Sequence, residues 1–333
     1  YDNYVEINFV EDDAGDKIFR NVRTTEEFYL NLSMVAGFKL DKYENTLVFI
    51  DEIQHYPQFL TMLKFLRQEH RYRFICSGSL LGIALKKTVS VPVGSIIPKK
   101  MYQLDFEEFL IANDFGEDAI VHLRKSFEQK QPLAPEVHDK VLSLFKRYLL
   151  VGGMPDAVNE YLNSHNIVKV REAQESIREL YGVDASRYEE DAAKKLYIRR
   201  IYDMIPSQME NKKKRIVAKD ILDRKGDRFS NYMEEFEYLI NSGITIASNA
   251  ISNPKYPLAE SQQKNLLKLY MNDVGMLSSQ LYHYNIQPIL NDIASINLGS
   301  VYESAVAQEL KAHYEKLFYY DNKQKGEVDF LVD

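Results

Sequence analysis

Two adjacent carboxylates, Asp51 and Glu52, directly follow the apolar run Leu47-Val48-Phe49-Ile50. An apolar run that does not alternate with polar residues reads as a buried parallel strand. Such a strand delivers the next residues to the carboxyl edge of its sheet, where open α/β folds bind ligands. An acidic pair at that edge suits a Mg²⁺-nucleotide site. The first carboxylate holds the metal, usually through water, and the second polarises an attacking water. The next apolar strand, Tyr72–Cys76, runs into Ser77-Gly78-Ser79, whose hydroxyls suit contact with a γ-phosphate or its water. The plainer readings are solvated acids at a strand end and a serine that caps a helix. For the acidic pair, the wholly apolar strand and the hydroxyls after its neighbour favour the nucleotide reading.

Those residues require a parallel sheet with flanking helices, and residues from about 4 to 110 alternate accordingly. Val5–Val10 is strand-like, and Thr24-Thr25-Glu26-Glu27 has the hydroxyl cap and early acids of a helix start. Phe59, Met62, Leu63 and Leu66 share one face of a helix over Phe59–Glu69. Tyr102–Phe106 is expected as a last strand, before a helix at Glu107–Ala112.

Residues from about 113 to 200 are helical in pattern. The run Val141–Leu150 meets Gly152-Gly153-Met154-Pro155, where glycines end one helix and Pro155 fits the first turn of the next. Ile167–Tyr181 and Lys194–Met204 are amphipathic. Residues from about 195 to 275 suggest a winged helix: helices at Ile216–Leu222 and Asp227–Asn241, then Ile244–Ala247 paired with Leu266–Met271 as the wing. A helix at Val301–Tyr314 then leads to strands at Phe318–Tyr320 and Val328–Val332.

The 333 residues are 45% hydrophobic and 27% charged, a globular composition too long for one ordinary core. No run approaches the roughly 18 consecutive apolar residues of a membrane span, so no membrane partner is expected. The single cysteine, Cys76, excludes an internal disulfide and a multi-cysteine zinc site, and fits a reducing, cytoplasmic location. A net charge of −7 disfavours a surface that grips nucleic acid everywhere.

Phe49-Ile50-Asp51-Glu52-Ile53-Gln54, Ser77-Gly78-Ser79, Val91-Pro92-Val93-Gly94 and Tyr102-Gln103-Leu104-Asp105-Phe106-Glu107-Glu108-Phe109 together resemble the prokaryotic AAA+-like P-loop ATPases that carry a C-terminal DUF4143 domain. The resemblance continues through Gly152-Gly153-Met154-Pro155 and Lys268-Leu269-Tyr270-Met271-Asn272-Asp273-Val274-Gly275-Met276-Leu277 to Gly326-Glu327-Val328-Asp329-Phe330, in the family's order. It implies an α/β P-loop NTPase-like parallel sheet, then a helical and winged-helix region, then a C-terminal α/β domain like the restriction-endonuclease fold. The expected borders are 1–112 for the ATPase core, 113–194 for a helical lid or linker, 195–275 for the winged helix and 276–333 for part of the DUF4143 domain. The resemblance makes Asp51 the Walker B metal residue and Glu52 the catalytic glutamate, with ATP and Mg²⁺ as cofactors. Ser77 or Ser79 would sense the γ-phosphate.

The chain departs from that family in one respect. No Gly-x-x-x-x-Gly-Lys-[Ser/Thr] loop occurs in it, although the family carries one shortly before the strand Val5–Phe9. That loop supplies the backbone N–H cradle and the lysine for the phosphates. The chain opens in one strand-like run and closes in another, so truncation at both ends is expected. ATP hydrolysis is then expected of the intact protein and weak nucleotide binding of these residues alone.

By the same resemblance, Glu303 on a helix and Asp329 on a strand, with Glu327 beside it, take the positions of a metal-dependent PD-(D/E)xK nuclease site. The plainer reading is an edge strand with solvated acids. Two other function classes stand beside the ATPase: a nucleic-acid-processing protein of that nuclease type, and a non-catalytic regulatory or interaction protein. DNA or a protein is accordingly carried as a further partner. The basic run Lys212-Lys213-Lys214-Arg215 reads as a solvated loop before it reads as a phosphate contact, because the candidate recognition helix bears Glu234, Glu235 and Glu237. His55 is expected to cap or pack, and Cys76 to be a small buried residue. The residues name neither an arginine finger nor an oligomeric state.

Overall fold

The computed structural model describes residues 1–8, 18–40, 45–78, 94–187, 191–211, 214–216, 218–222, 228–291 and 298–333. They form two compact units, Tyr1–Lys100 and Met101–Asp333. Among the described residues no helix is long and apolar enough to cross a membrane.

In the first unit β1 (Asn3–Asn8), β2 (Thr46–Asp51) and β3 (Arg73–Cys76) form a parallel sheet in that order. The register sets Asn8 opposite Asp51 and Ile50 opposite Cys76. Helices α1 (Thr25–Ala36) and α2 (Pro57–Glu69) bring Phe28, Leu32, Phe59, Leu63 and Leu66 into one core with Val5, Ile7, Val48 and Ile50. Helix α1 starts at the expected Thr24, in a capping box with Glu27. The burial of β2 alternates although its sequence does not: Val48 and Ile50 are fully buried, while Leu47 and Phe49 are only half-covered. On that second face Phe49 stacks on Tyr4, with ring centroids 6.5 Å apart.

The second unit begins with α3 (Phe106–Ala112), α4 (Glu117–Glu128), α5 (Pro135–Val151), α6 (Pro155–Ser164), α7 (Ile167–Arg187) and α8 (Ala192–Glu210). Then come α9 (Lys219–Leu222), α10 (Met233–Asn241), α11 (Val274–Tyr282), α12 (Gln287–Leu290) and α13 (Gly299–His313). The segment expected as a strand at Tyr102–Phe106 pairs with no strand among the described residues, and Phe106 already opens α3. The N–H of Leu104 donates to the Gly153 carbonyl at 2.8 Å, and the Leu104 carbonyl accepts from the Tyr148 hydroxyl at 2.8 Å. Asp105 then caps α3. The backbone groups that a neighbouring strand would have taken are spent on a helix-to-helix loop and one tyrosine.

A mixed sheet follows, in the order β5 (Gln262–Met271), β4 (Thr245–Ile251), β6 (Leu317–Asn322), β7 (Gly326–Leu331). The expected wing pairing is present, with Ile246 opposite Tyr270 and Ala247 opposite Leu269. The other edge of β4, however, pairs in parallel with β6. The border expected between residues 275 and 276 therefore runs through one continuous sheet. A hairpin whose second edge is buried needs a further strand to satisfy its N–H and C=O groups, and β6 supplies it.

The two glycines after α5 end that helix as expected, Gly152 with φ +75°. Their smallness also admits Asp273 beside Gly152 and the Leu104 backbone beside Gly153. A Cβ at Gly152 would overlap the Asp273 carboxylate, and one at Gly153 would overlap the Leu104 carbonyl. Asp273, wholly buried at the start of α11, accepts from the N–H of Gly153 at 2.6 Å and of Met276 at 3.0 Å. Burial raises its pKa to about 6 even though the N–H groups of Gly153, Met276, Gly275 and Met154 favour the charged form.

Candidate functional site

Asp51 ends β2, and parallel pairing decides what faces it. The ladder continues past both neighbouring strand ends: the N–H of Ser77 donates to the Ile50 carbonyl at 2.9 Å, and the N–H of Ile53 to the Ser77 carbonyl at 3.1 Å. Ser77 is thereby fixed beside Asp51, and its hydroxyl donates to Asp51 Oδ1. The same oxygen accepts the N–H of Glu52 at 3.0 Å, while Asn8 Nδ2, from the end of β1, donates to Oδ2 at 3.2 Å. The Asp51 carboxylate is thus held by neutral donors from three consecutive chain crossings, and its charge remains available.

Glu52 has left-handed backbone, with φ 55° and ψ 38°. That conformation is uncommon for a residue with a side chain and turns the chain sharply away from the strand. A 3₁₀ turn, Ile53–His55, follows at once. Ile53 is fully buried and anchors it. Gln54 Nε2 donates to Glu52 Oε2, and His55 Nε2 lies 3.9 Å from the same oxygen. Among the described residues Glu52 Oε1 has no hydrogen-bond donor. The sequence-named residues Asp51, Glu52 and Ser77 are therefore together at the carboxyl ends of adjacent parallel strands. Ser79 lies outside the described residues. Cys76 is partly covered, and burial pushes its thiol up to about 12, which disfavours the thiolate.

The oxygen donors of this rim (the Asp51 carboxylate, the Ser77 hydroxyl and the half-exposed Glu52 carboxylate) have the hard chemistry that Mg²⁺ takes. Among the described residues no cluster of three or more His, Cys, Asp and Glu side chains forms a metal cage. A nucleotide's Mg²⁺ does not need one, because it is held by one or two carboxylates together with water and phosphates.

The C-terminal acids are also brought together, around a different centre. Lys268, on β5 and 1% exposed, places Nζ 3.1 Å from Glu303 Oε1, 3.1 Å from Asp329 Oδ1 and 3.5 Å from Glu327 Oε1. Glu303, 7% exposed on α13, also receives Lys214 Nζ, and the Tyr270 hydroxyl at 2.7 Å. Burial opposes the charge of Glu303, but Lys214, Tyr270 and Lys268 outweigh it and hold its pKa below the usual carboxylate value. Burial opposes the charge of Lys268 as well; Glu303 and Asp329 outweigh that and raise its pKa. The metal site expected at Glu303 and Asp329 thus has a lysine ammonium between its two carboxylates. Arg215, the last residue of the basic run, pairs with Asp321 at 2.6 Å. Lys214 and Arg215 are spent on internal ion pairs, and Lys212 and Lys213 lie outside the described residues.

Sequence reasoning did not assign roles to Asn8, Gln54, Lys268 or Tyr270. Asn8 becomes visible only once the β1–β2 register is known. Lys268 sits in an otherwise apolar strand, Leu266–Met271, and a lone lysine there is itself the signal of a buried counter-charge.

Residues 1–110 match an AAA domain family, and residues 142–284 match a domain of unknown function, DUF8612. No curated protein and no solved structure matches the chain. The first match supports an AAA-like P-loop ATPase domain, in agreement with the parallel sheet of β1, β2 and β3. The second corrects the expected DUF4143 assignment, since DUF8612 is what matches beyond the AAA-domain stretch. It takes in Gly152, Gly153, Lys268 and Asp273, whereas Glu303, Glu327 and Asp329 lie beyond it.

Proposed function

We propose that the intact protein binds ATP at the carboxyl rim of β1, β2 and β3 and hydrolyses it with Mg²⁺. The observation that carries this reading is the meeting of Asp51 and Ser77 across adjacent parallel strands, with Glu52 turned out by left-handed backbone beside them. The chemistry that Mg²⁺ would supply when bound is neutralisation of phosphate charge. Asp51, oriented by Asn8, Ser77 and the Glu52 N–H, would hold that ion through water. Glu52 would accept a proton from the attacking water and orient it toward the γ-phosphate. Ser77 would report the γ-phosphate to Asp51, to which its hydroxyl is already bonded. The phosphate cradle must come from residues other than these 333, which contain no Gly-Lys-[Ser/Thr] loop.

ATP turnover by the intact protein and by its Glu52→Gln variant tests this reading. Removing a general base costs roughly 10²–10⁴-fold in rate, so the variant is expected at least a hundredfold slower with ATP still bound. Equal rates would remove Glu52 from the mechanism. The present chain alone is expected to bind a fluorescent ATP analogue only weakly, and micromolar affinity would contradict the need for an added phosphate loop.

A further inference from the structure

We propose that Gln54 is the positioning residue for Glu52, a role that rests on reading Glu52 as the water-polarising carboxylate. Glutamate has three side-chain torsions, and a half-exposed one samples many of them; a catalytic carboxylate must occupy one. The device that selects it lies two residues on. Gln54 is buried, and its Nε2 donates to Glu52 Oε2. The 3₁₀ turn that carries Gln54 cannot drift. The N–H of Ile53 is tied to the Ser77 carbonyl at 3.1 Å, that of His55 to the Glu52 carbonyl at 3.0 Å and that of Tyr56 to the Ile53 carbonyl at 3.0 Å. Ser77 therefore anchors both carboxylates, Asp51 through its hydroxyl and Glu52 through this turn. A neutral amide is suited to the task. It fixes one carboxylate oxygen without cancelling the charge, and it leaves Oε1 for water.

The test compares Gln54→Met, which keeps the volume, and Gln54→Asn, which keeps the amide but shortens its reach, with Glu52→Gln and the double variant Glu52→Gln/Gln54→Met in the intact protein. Turnover, the affinity for Mg·ATP and the affinity for Mg·ADP–aluminium fluoride are measured for each. Each Gln54 variant is expected to turn over about 10–100-fold more slowly, as a misplaced catalytic group does. Mg·ATP affinity should stay within about twofold, while affinity for the transition-state analogue falls in step with the rate. The double variant should be no slower than Glu52→Gln alone, because the amide acts only through that carboxylate. The proposal is overturned by Gln54 variants that match wild type while Glu52→Gln is slow, by losses that add in the double variant, or by a fall in Mg·ATP affinity as large as the fall in rate. A fast Glu52→Gln variant would instead overturn the assignment of Glu52 itself, and is told apart by that single measurement.

Discussion

The two acid clusters of this chain contain the same residue types in opposite electrical surroundings. At the rim of β2, Asp51 and Glu52 are held by amide, hydroxyl and backbone donors, and among the described residues only His55 comes within ion-pair distance of either. At the rim of β5 and β7, Glu303, Glu327 and Asp329 surround Lys268, with Lys214 on the far side of Glu303. Neutral donors orient a carboxylate and leave its charge to attract a cation. Lysines cancel the charge and turn the same carboxylates into a structural tie. Carboxylates at a strand end therefore indicate metal chemistry only when the structure has not already supplied the cation.

The difference is broken most directly at Asp51. Asp51→Asn keeps the shape and most of the hydrogen bonds but removes the charge. In the intact protein it is expected to slow ATP turnover by about a hundredfold or more, on the scale of a lost electrostatic stabiliser, and to raise the Mg²⁺ concentration needed for half-maximal rate. Its urea unfolding midpoint should hardly move. A variant that unfolds early but hydrolyses ATP normally would place Asp51 in the structural class with Glu303.

Lys268→Met makes the opposite cut. It leaves Glu303 buried with Lys214 and Tyr270 as its remaining partners, so the second unit is expected to lose about 3 kcal/mol in urea unfolding, as when one member of a buried pair is deleted. Adding Glu303→Leu should recover only part of that loss, because it spares the desolvation that Glu303 suffers without Lys268 but leaves Lys214 and the Tyr270 hydroxyl without their acceptor. A double variant as unstable as the single would mean that the lysine's other carboxylates, or the loss of Glu303 to Lys214 and Tyr270, outweigh the relief of Glu303.

Asp273 joins the features of both clusters: its donors are neutral, as at Asp51, but it is wholly buried, as Glu303 nearly is. Its folded pKa of about 6 lies above the ordinary carboxylate value of 3.8, so the unfolded chain holds that proton less tightly. The stability linked to Asp273 is then fully present below about pH 4 and is lost as pH rises through about 6. Relative to Asp273→Asn, which does not titrate, the wild type should gain on the order of 3 kcal/mol between pH 7 and pH 4. Parallel stability curves for the two over that range would contradict the burial of a charged Asp273.

Much of the first unit was legible because local signals and tertiary need agreed. The apolar run before Asp51, the cap at Thr24 and the helical spacing of Phe59, Leu63 and Leu66 each point to the element that forms. The meeting of Asp51, Glu52 and Ser77 at one rim followed, since a parallel strand carries its next residues to one edge. Asn8 and Gln54 were not legible as partners, because the first needs the strand register and the second needs the left-handed turn at Glu52. In the second unit the helices and the hairpin were legible, but the sheet that joins β4 to β6 was not. That pairing spans residues 248 and 317, and no local pattern encodes it. The same long-range closure brings Lys268 to Glu303 and Asp329, so a metal site was expected where the fold places an ammonium.

The smallest expected effect separates the acids within the second cluster. Glu303 is 7% exposed and Asp329 is 52% exposed, although both lie 3.1 Å from Lys268 Nζ. Water screens the outer carboxylate and can replace its partner, so Asp329→Asn should cost about 1 kcal/mol or less. Glu303→Gln should cost more, because Lys214 and Lys268 both lose a buried counter-charge. The same ordering bears on metal binding. An ion that bound Glu303 and Asp329 in the folded state would stabilise it by mass action. With the ammonium between them, millimolar Mg²⁺ or Mn²⁺ without nucleotide should leave the unfolding midpoint of the second unit unchanged in the wild type. A midpoint that rose with metal, and stopped rising in Asp329→Asn, would show that Lys268 yields its place and that the two clusters are less different than their resting geometry makes them.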